Sequence, residues 1–160
     1  MKFCKIALFL LCCAAVGSFS AAAQEEFEPD IRDILPGFTG FGEKKGTVVP
    51  LLDKDDRVIG KLLTAPAKYK RIEGHTDFIN VAVVTNKRGR ICGVAIGKNK
   101  ESENILQKCR EKGLLKRWNG KYVKDAVKIK VDAITGATSS SAAIKAEVQS
   151  ILQANKEINQ

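Results

Sequence analysis

The sequence predicts a small α+β fold: a twisted, largely antiparallel sheet built from hairpins and packed by a middle helix and a C-terminal amphipathic helix. Three observations predict it. Pairs of apolar, β-branched runs flank turn-forming residues, which is typical of hairpins. The apolar spacing becomes helical in the middle of the chain and again near its end. Without its first 23 residues the chain has the size of one domain.

The first 23 residues predict an export signal. Two lysines precede an uncharged apolar run, residues 6–16, and three alanines then precede Gln24, so cleavage is expected before Gln24. A retained membrane anchor is one alternative, although an uncharged core of about 11 to 15 residues is shorter than the roughly 20 that a bilayer needs. A lipoprotein is another, because Cys12 and Cys13 lie here. We expect a periplasmic protein, or one on the outer face of the cytoplasmic membrane.

The mature chain carries a basic surplus. The whole sequence has 27 Lys and Arg against 18 Asp and Glu, a net charge of +9. Removing the signal takes away two lysines and leaves about +7, a charge that bears on association and not on fold. The surplus is densest between Lys108 and Lys130. It is either a solvated basic face or a surface for an acidic partner or an anionic membrane. Nucleic acid is not expected, because the chain has few aromatic residues and no recognition motif.

Residues 24–46 predict an N-terminal extended or loop segment, and residues 47–160 predict the packed domain. The N-terminal segment has an acidic start, then Pro36 and a glycine-rich stretch, 37–46, which is typical of a loop that lies against the body.

Two hairpins are predicted in the domain. The first joins strands 48–52 and 57–63 through four charged, turn-forming residues. The second joins strands 78–85 and 90–96, and Gly89 between them supplies the positive φ that such turns use.

The apolar period then becomes helical. Residues 101–112 separate an apolar from a charged face, and Gly113 predicts the end of this middle helix. Residues 140–155 show the same separation and predict the C-terminal amphipathic helix. Between the two helices, apolar side chains recur over residues 122–131 and predict one more extended segment.

Two cysteines, Cys92 and Cys109, remain after removal of the signal. They can pair in an oxidising compartment, or they can be small buried hydrophobes. Neither has CxxC spacing or a partnering histidine, so no metal site is predicted.

The residues that carry chemistry lie where the last predicted strand meets the last helix, at Asp132-Ala133-Ile134-Thr135-Gly136-Ala137-Thr138. A helix start leaves backbone N–H groups without partners and carries the positive end of the helix dipole, so it favours a phosphate. Glycine and alanine keep the approach open. An ordinary Ser/Thr N-cap is the alternative interpretation of the same residues.

The pattern Asp132-x-x-Thr135-Gly136-Ala137-Thr138 resembles the signature of the FMN-binding domain family. Members include exported flavoproteins related to the C subunit of the sodium-translocating NADH:quinone reductase and the G subunit of the Rnf complex. The order of the other elements is also similar over most of the mature chain. In that family a magnesium-dependent flavin transferase uses FAD to esterify the last threonine of the signature to the FMN phosphate. The resemblance therefore implies a covalent FMN on Thr138.

The resemblance also implies roles for the neighbours of Thr138. Gly136 and Ala137 would form an uncrowded turn. The Thr135 hydroxyl and the N–H groups from Ser139 onward would hold the phosphate. Asp132 would present the motif to the transferase, through the metal of that enzyme.

Two further residues are implied near the flavin ring. Many members read Glu-Thr-Pro-Gly in a loop near the flavin, where this chain has Glu101-Ser102-Glu103-Asn104. Glu101 is therefore a candidate ring neighbour in an altered loop that is expected to run into helix. Trp118 either stacks near the isoalloxazine or belongs to the core.

The function implied is that of an electron-transfer protein, or a subunit of an oxidoreductase complex, rather than a stand-alone enzyme. It would relay electrons in an extracytoplasmic or membrane-associated redox chain, with redox proteins of that compartment or membrane as partners. The alternatives are a donor-site module of an enzyme complex and a non-redox, basic binding module that keeps the fold without flavin.

Overall fold

The computed structural model describes residues 22–157. The predicted signal, residues 1–23, lies outside this range except for Ala22 and Ala23. No helix in the described range is both long and apolar enough to cross a membrane. The helices are α1 (Ala22–Glu25), α2 (Glu28–Ile34), α3 (Glu103–Glu111), α4 (Val123–Ala126) and α5 (Thr138–Ala154), with a 3₁₀ turn at Leu114–Lys116. The strands are β1 (Gly40–Phe41), β2 (Val48–Leu52), β3 (Val58–Leu63), β4 (Val81–Asn86) and β5 (Ile91–Ile96).

The five strands form one antiparallel sheet in chain order, β1-β2-β3-β4-β5. This confirms the predicted fold class and both hairpins. The boundaries differ slightly, because β4 begins at Val81 and not at residue 78. The C-terminal helix begins at Thr138, two residues earlier than predicted.

Side chains close both hairpin turns. The Asp53 carboxylate accepts hydrogen bonds from the backbone N–H groups of Asp55 (2.9 Å) and Arg57 (3.0 Å). The Asn86 side-chain oxygen plays the same part in the second turn, where Gly89 has the expected positive φ of 76°. These bonds satisfy turn N–H groups that have no strand partner.

The sheet is covered on both faces. Alternate residues of β4 face opposite sides: Val81 and Val83 join the main core with α3, α4 and α5, and Ala82 and Val84 join a second core under α2. A central strand that is apolar on both faces requires such a cover on each side. The result is three layers, with α5 packed directly on β4.

The N-terminal segment 24–46 was predicted to be extended or loop, and the structure shows that it contains α2. Phe27, Ile31 and Ile34 are spaced by four and three residues, which places them on one side of a helix. Pro29 lies in the first turn, where a missing N–H costs nothing. Burial of Phe27 and Ile31 against the sheet stabilises this helix.

The predicted extended segment 122–131 is also wrong. Residues 123–126 form α4, and residues 129–134 have no regular structure. Backbone pairing at the outer edge of β5 involves Ile91, which exchanges hydrogen bonds with Gly120 (2.8 Å) and Lys121 (2.9 Å), just before the predicted segment. The apolar residues that follow pack against the main core as a loop, so their alternation reflects burial and not strand pairing.

Candidate functional site

A tight turn leads directly into α5. The N–H of Ala137 donates to the carbonyl of Ile134 at 2.9 Å, and Gly136 at the third turn position has a φ of +79°. A type II turn requires this left-handed conformation, which glycine adopts without strain. The predicted uncrowded turn is present, with Thr138 as the first residue of the helix.

The start of α5 leaves backbone donors free. The first helical bond runs from the N–H of Ser141 to the carbonyl of Ala137, at 2.8 Å. The cap residue is Ala137, which offers no side-chain acceptor, so the Ser/Thr N-cap interpretation is wrong. Within the described part of the chain, the N–H groups of Thr138, Ser139 and Ser140 have no acceptor. Three free N–H groups at the positive end of a helix suit a phosphate.

The signature residues are open to solvent. Thr138 is exposed, and its hydroxyl makes no hydrogen bond with other described residues. Asp132, Thr135 and Ser139 are exposed as well, whereas Ala137 is buried. The Thr138 hydroxyl is therefore accessible to a modifying enzyme.

Ser140 and Ser141, which follow the exposed Ser139, point inward and fix the helix start. Ser141 Oγ accepts from the N–H of Ile134 at 2.9 Å and donates to the carbonyl of Thr138 at 3.1 Å. Ser140 Oγ donates to Glu101 Oε2 at 2.9 Å. Both serines are almost fully buried. The sequence revealed the run of hydroxyls, but not this division between exposed and inward-facing ones.

Glu101 connects the start of α5 to the loop before β4. Its Oε1 accepts from the backbone N–H groups of Thr76 (2.8 Å) and Asp77 (3.4 Å). Burial raises the pKa of this carboxyl, but the hydrogen bonds from Thr76, Ser140, Asp77 and His75 together outweigh burial and hold the pKa below its ordinary value. Gly74 permits the close approach, since a Cβ there would lie 2.5 Å from Oε1. Both Glu101 oxygens are thus engaged by the protein.

Lys108 is a site residue that sequence reasoning did not single out. It lies on α3, and its Nζ is 3.5 Å from the position that a Cβ on Gly136 would occupy. It forms no ion pair with any acid in the described range. Its only signal in the sequence was its place at the start of the basic run. An ammonium without an ion pair therefore lies at Gly136, next to the helix start, in an arrangement that fits a phosphate.

Trp118 and the cysteines lie elsewhere. The Trp118 side chain is 1% exposed and packs in the main core, which favours the core interpretation. Cys109 packs in the main core, whereas Cys92 packs against the second core. The sheet therefore separates the two thiols, both are free, and burial raises the pKa of each.

Comparison with known proteins shows the family of the chain. Residues 74–153, half of the chain, match the model of the FMN-binding domain. The chain belongs to the FMN-binding domain family. The match begins at Gly74, beside Glu101, and ends within the last turn of α5, so this FMN-binding domain contains Lys108 and the whole signature. No match to a curated protein was found.

Proposed function

We propose that this protein is an exported electron carrier that holds FMN through a phosphoester to Thr138. The observation that carries the proposal is the exposed Thr138 at a helix start where, among the described residues, its hydroxyl and three N–H groups have no hydrogen-bond partner and Lys108 has no ion pair. An anionic phosphoester at this position would gain donors and a counter-charge that the protein alone leaves unused.

The residues that would hold the phosphate come from two helices. The N–H group of the exposed Ser139 and the hydroxyl of the exposed Thr135 are available from the α5 side. Lys108 supplies the positive charge from α3. Gly136 has no side chain, so the Lys108 ammonium can approach the turn closely.

Attachment requires Thr138 to act as a nucleophile toward FAD, in the active site of a magnesium-dependent flavin transferase. The Oγ–phosphorus bond forms, the pyrophosphate bond of FAD breaks, AMP leaves and the hydroxyl proton is lost. Asp132 is exposed and lies six residues before Thr138, which supports its role in presenting the motif to the metal of that enzyme.

Bound FMN would supply reversible electron transfer. The protein would retain the flavin and provide its electrostatic environment. A covalent tether keeps the flavin on a protein that has left the cytoplasm, where lost FMN is not easily replaced. The export signal predicted over residues 1–23 supports this reason for a tether. We place the protein in an extracytoplasmic or membrane-associated redox chain, as an electron-transfer protein or as a subunit of an oxidoreductase complex.

The proposal is tested by co-expressing the chain with a flavin transferase of this family and unfolding the purified product in guanidinium chloride. We expect the yellow flavin absorbance to stay with the unfolded polypeptide. We also expect it to be absent from Thr138→Ala and present in Ser139→Ala, the matched control at the next exposed hydroxyl. A colourless product beside an active transferase, or colour that separates from the unfolded chain, would overturn the proposal.

A further inference from the structure

A groove of about 500 Å³ lies between residues 127–131 and the adjoining side of α5. Its floor is apolar, because Val127, Ile129 and Val131 turn toward the main core. The residues between them, Lys128 and Lys130, are exposed. The alternation that sequence reasoning read as a strand therefore builds an apolar floor with a basic rim.

The charge on this groove is not balanced locally. Lys145 of α5 adds a third ammonium to Lys128 and Lys130, and no acidic residue lines the groove. None of the three lysines forms an ion pair with an acid among residues 22–157. Three unpaired positive charges around an apolar floor favour an occupant that is both acidic and apolar.

A hydrogen bond joins the two sides of the groove. Gln149 on α5 donates a 2.7 Å hydrogen bond to the carbonyl of Val127, which fixes one end of the loop to the helix. Trp118 contributes to the lining, and its buried indole N–H has no acceptor in the described structure. Trp118 is 1% exposed, so it belongs to the wall of the groove and its indole N–H is not a contact for an occupant.

The groove adjoins the signature. Lys145 follows Thr138 by seven residues, which places it two turns along the same side of α5, roughly 10 Å away. Val131 immediately precedes Asp132. An occupant of the groove would therefore sit beside any group carried on Thr138.

We propose that this groove docks an acidic segment, with apolar side chains, of a partner protein. Its use for electron transfer to or from FMN rests on the function proposed above. A concave groove admits a protruding segment to its apolar floor, whereas a flat anionic membrane would meet only the rim. The acidic N-terminal stretch of a second copy is a poorer occupant, because its Glu26, Glu28 and Asp30 are already engaged by their own protein.

The test uses the single Trp of the chain, Trp118, as a fluorescent reporter in the groove. The probe is a blocked peptide in which glutamates flank leucines, and the matched peptide has glutamine in place of glutamate. We expect saturable changes in Trp118 emission with the acidic peptide and none with the glutamine peptide. Lys128→Gln/Lys130→Gln should weaken binding by roughly three- to tenfold, the effect of two exposed charge pairs.

The control double variant is Lys54→Gln/Lys87→Gln, in the two hairpin turns, which should bind the acidic peptide as the wild type does. Equal binding of both peptides, or equal weakening in both double variants, would overturn the proposal. So would groove-dependent binding to phosphatidylserine vesicles without binding to the peptide, or groove-dependent self-association. The measurement does not need flavin: peptide binding by a chain that stays unmodified beside an active transferase would contradict the carrier function alone.

Discussion

Ser140 Oγ lies 2.9 Å from Glu101 Oε2. Ser140 is two residues after Thr138, the threonine proposed to carry FMN. The other oxygen of Glu101 holds the backbone of the loop at Thr76. One carboxylate thus fixes the helix start relative to the loop before β4. Glu101 acts as a positioning residue for Thr138, because its oxygens face the protein and not the open side of the site.

The first prediction concerns Glu101→Gln. Because the folded-state pKa of Glu101 is lowered, its contribution to stability is complete above the ordinary carboxyl pKa and is lost as pH falls through the lowered value. At neutral pH we expect the variant to lose about 1–3 kcal/mol of unfolding free energy, the usual cost of removing hydrogen bonds to a charged group.

Urea unfolding at several pH values checks this prediction, with the exposed neighbour Glu73→Gln as the control. The difference between wild type and Glu101→Gln should narrow in acid. A difference that is the same at every pH would contradict the charged role of Glu101.

For Glu147→Gln, the loss of stability should depend on pH in the opposite direction. Burial raises the pKa of Glu147, and the partial compensation by Arg71, at 3.2 Å, does not restore it. The folded state then binds the proton more tightly than the unfolded chain, so the Glu147 contribution falls as pH rises from the ordinary value through the raised one.

The difference in unfolding free energy between the wild type and Glu147→Gln should therefore be largest in acid and smaller toward neutral pH. The same urea series measures it, with exposed Glu43→Gln as the control. A gap that widens toward neutral pH would show that the ion pair with Arg71 dominates over burial.

Gly136→Ala tests the turn. A Cβ would fit, since the nearest atom is Lys108 Nζ at 3.5 Å, but the φ of +79° is strained for alanine. We expect a loss of about 1–2 kcal/mol in unfolding free energy and slower flavin attachment. Gly40→Ala is the matched control, because its conformation is not left-handed and its surroundings are open. Equal costs at the two positions would contradict the importance of the turn.

Lys108→Gln tests the counter-charge. Removing an exposed ammonium beside the proposed phosphate should cost about 0.2–1 kcal/mol, which is up to fivefold in the rate of attachment by the transferase. The melting temperature should stay within a degree or so, since Lys108 has no ion pair among the described residues. Lys87→Gln, in the β4–β5 turn, should leave the rate unchanged. A rate that does not respond to Lys108→Gln would remove this residue from the site.

Much of the fold could be predicted because local chemistry determined it. The hairpins depend on Asp53, Asn86 and Gly89, whose turn preferences are readable one residue at a time. Two predictions of local structure were wrong, one because tertiary contacts decided the structure and one because the apolar pattern in the sequence was weak. Residues 122–131 alternate like a strand but pack against the main core as α4 and a loop, and α2 shows only three apolar positions.

The site divides in the same way. The signature gave Thr138 and Gly136, and the structure placed them at an open helix start. Lys108 could not be predicted, because it lies 30 positions before Thr138 and reaches the turn only through the packing of α3. Sequence also could not show that Glu101 is engaged by Ser140.

The central claim is the bond between Thr138 and FMN, and the intact mass of the mature protein tests it most directly. After co-expression with the transferase, the wild type should be heavier than its sequence by one FMN less one water. Thr138→Ser should carry the same addition, because the hydroxyl remains, and Thr138→Ala should have its unmodified mass. An unmodified wild type beside an active transferase, or a full addition on Thr138→Ala, would contradict the account.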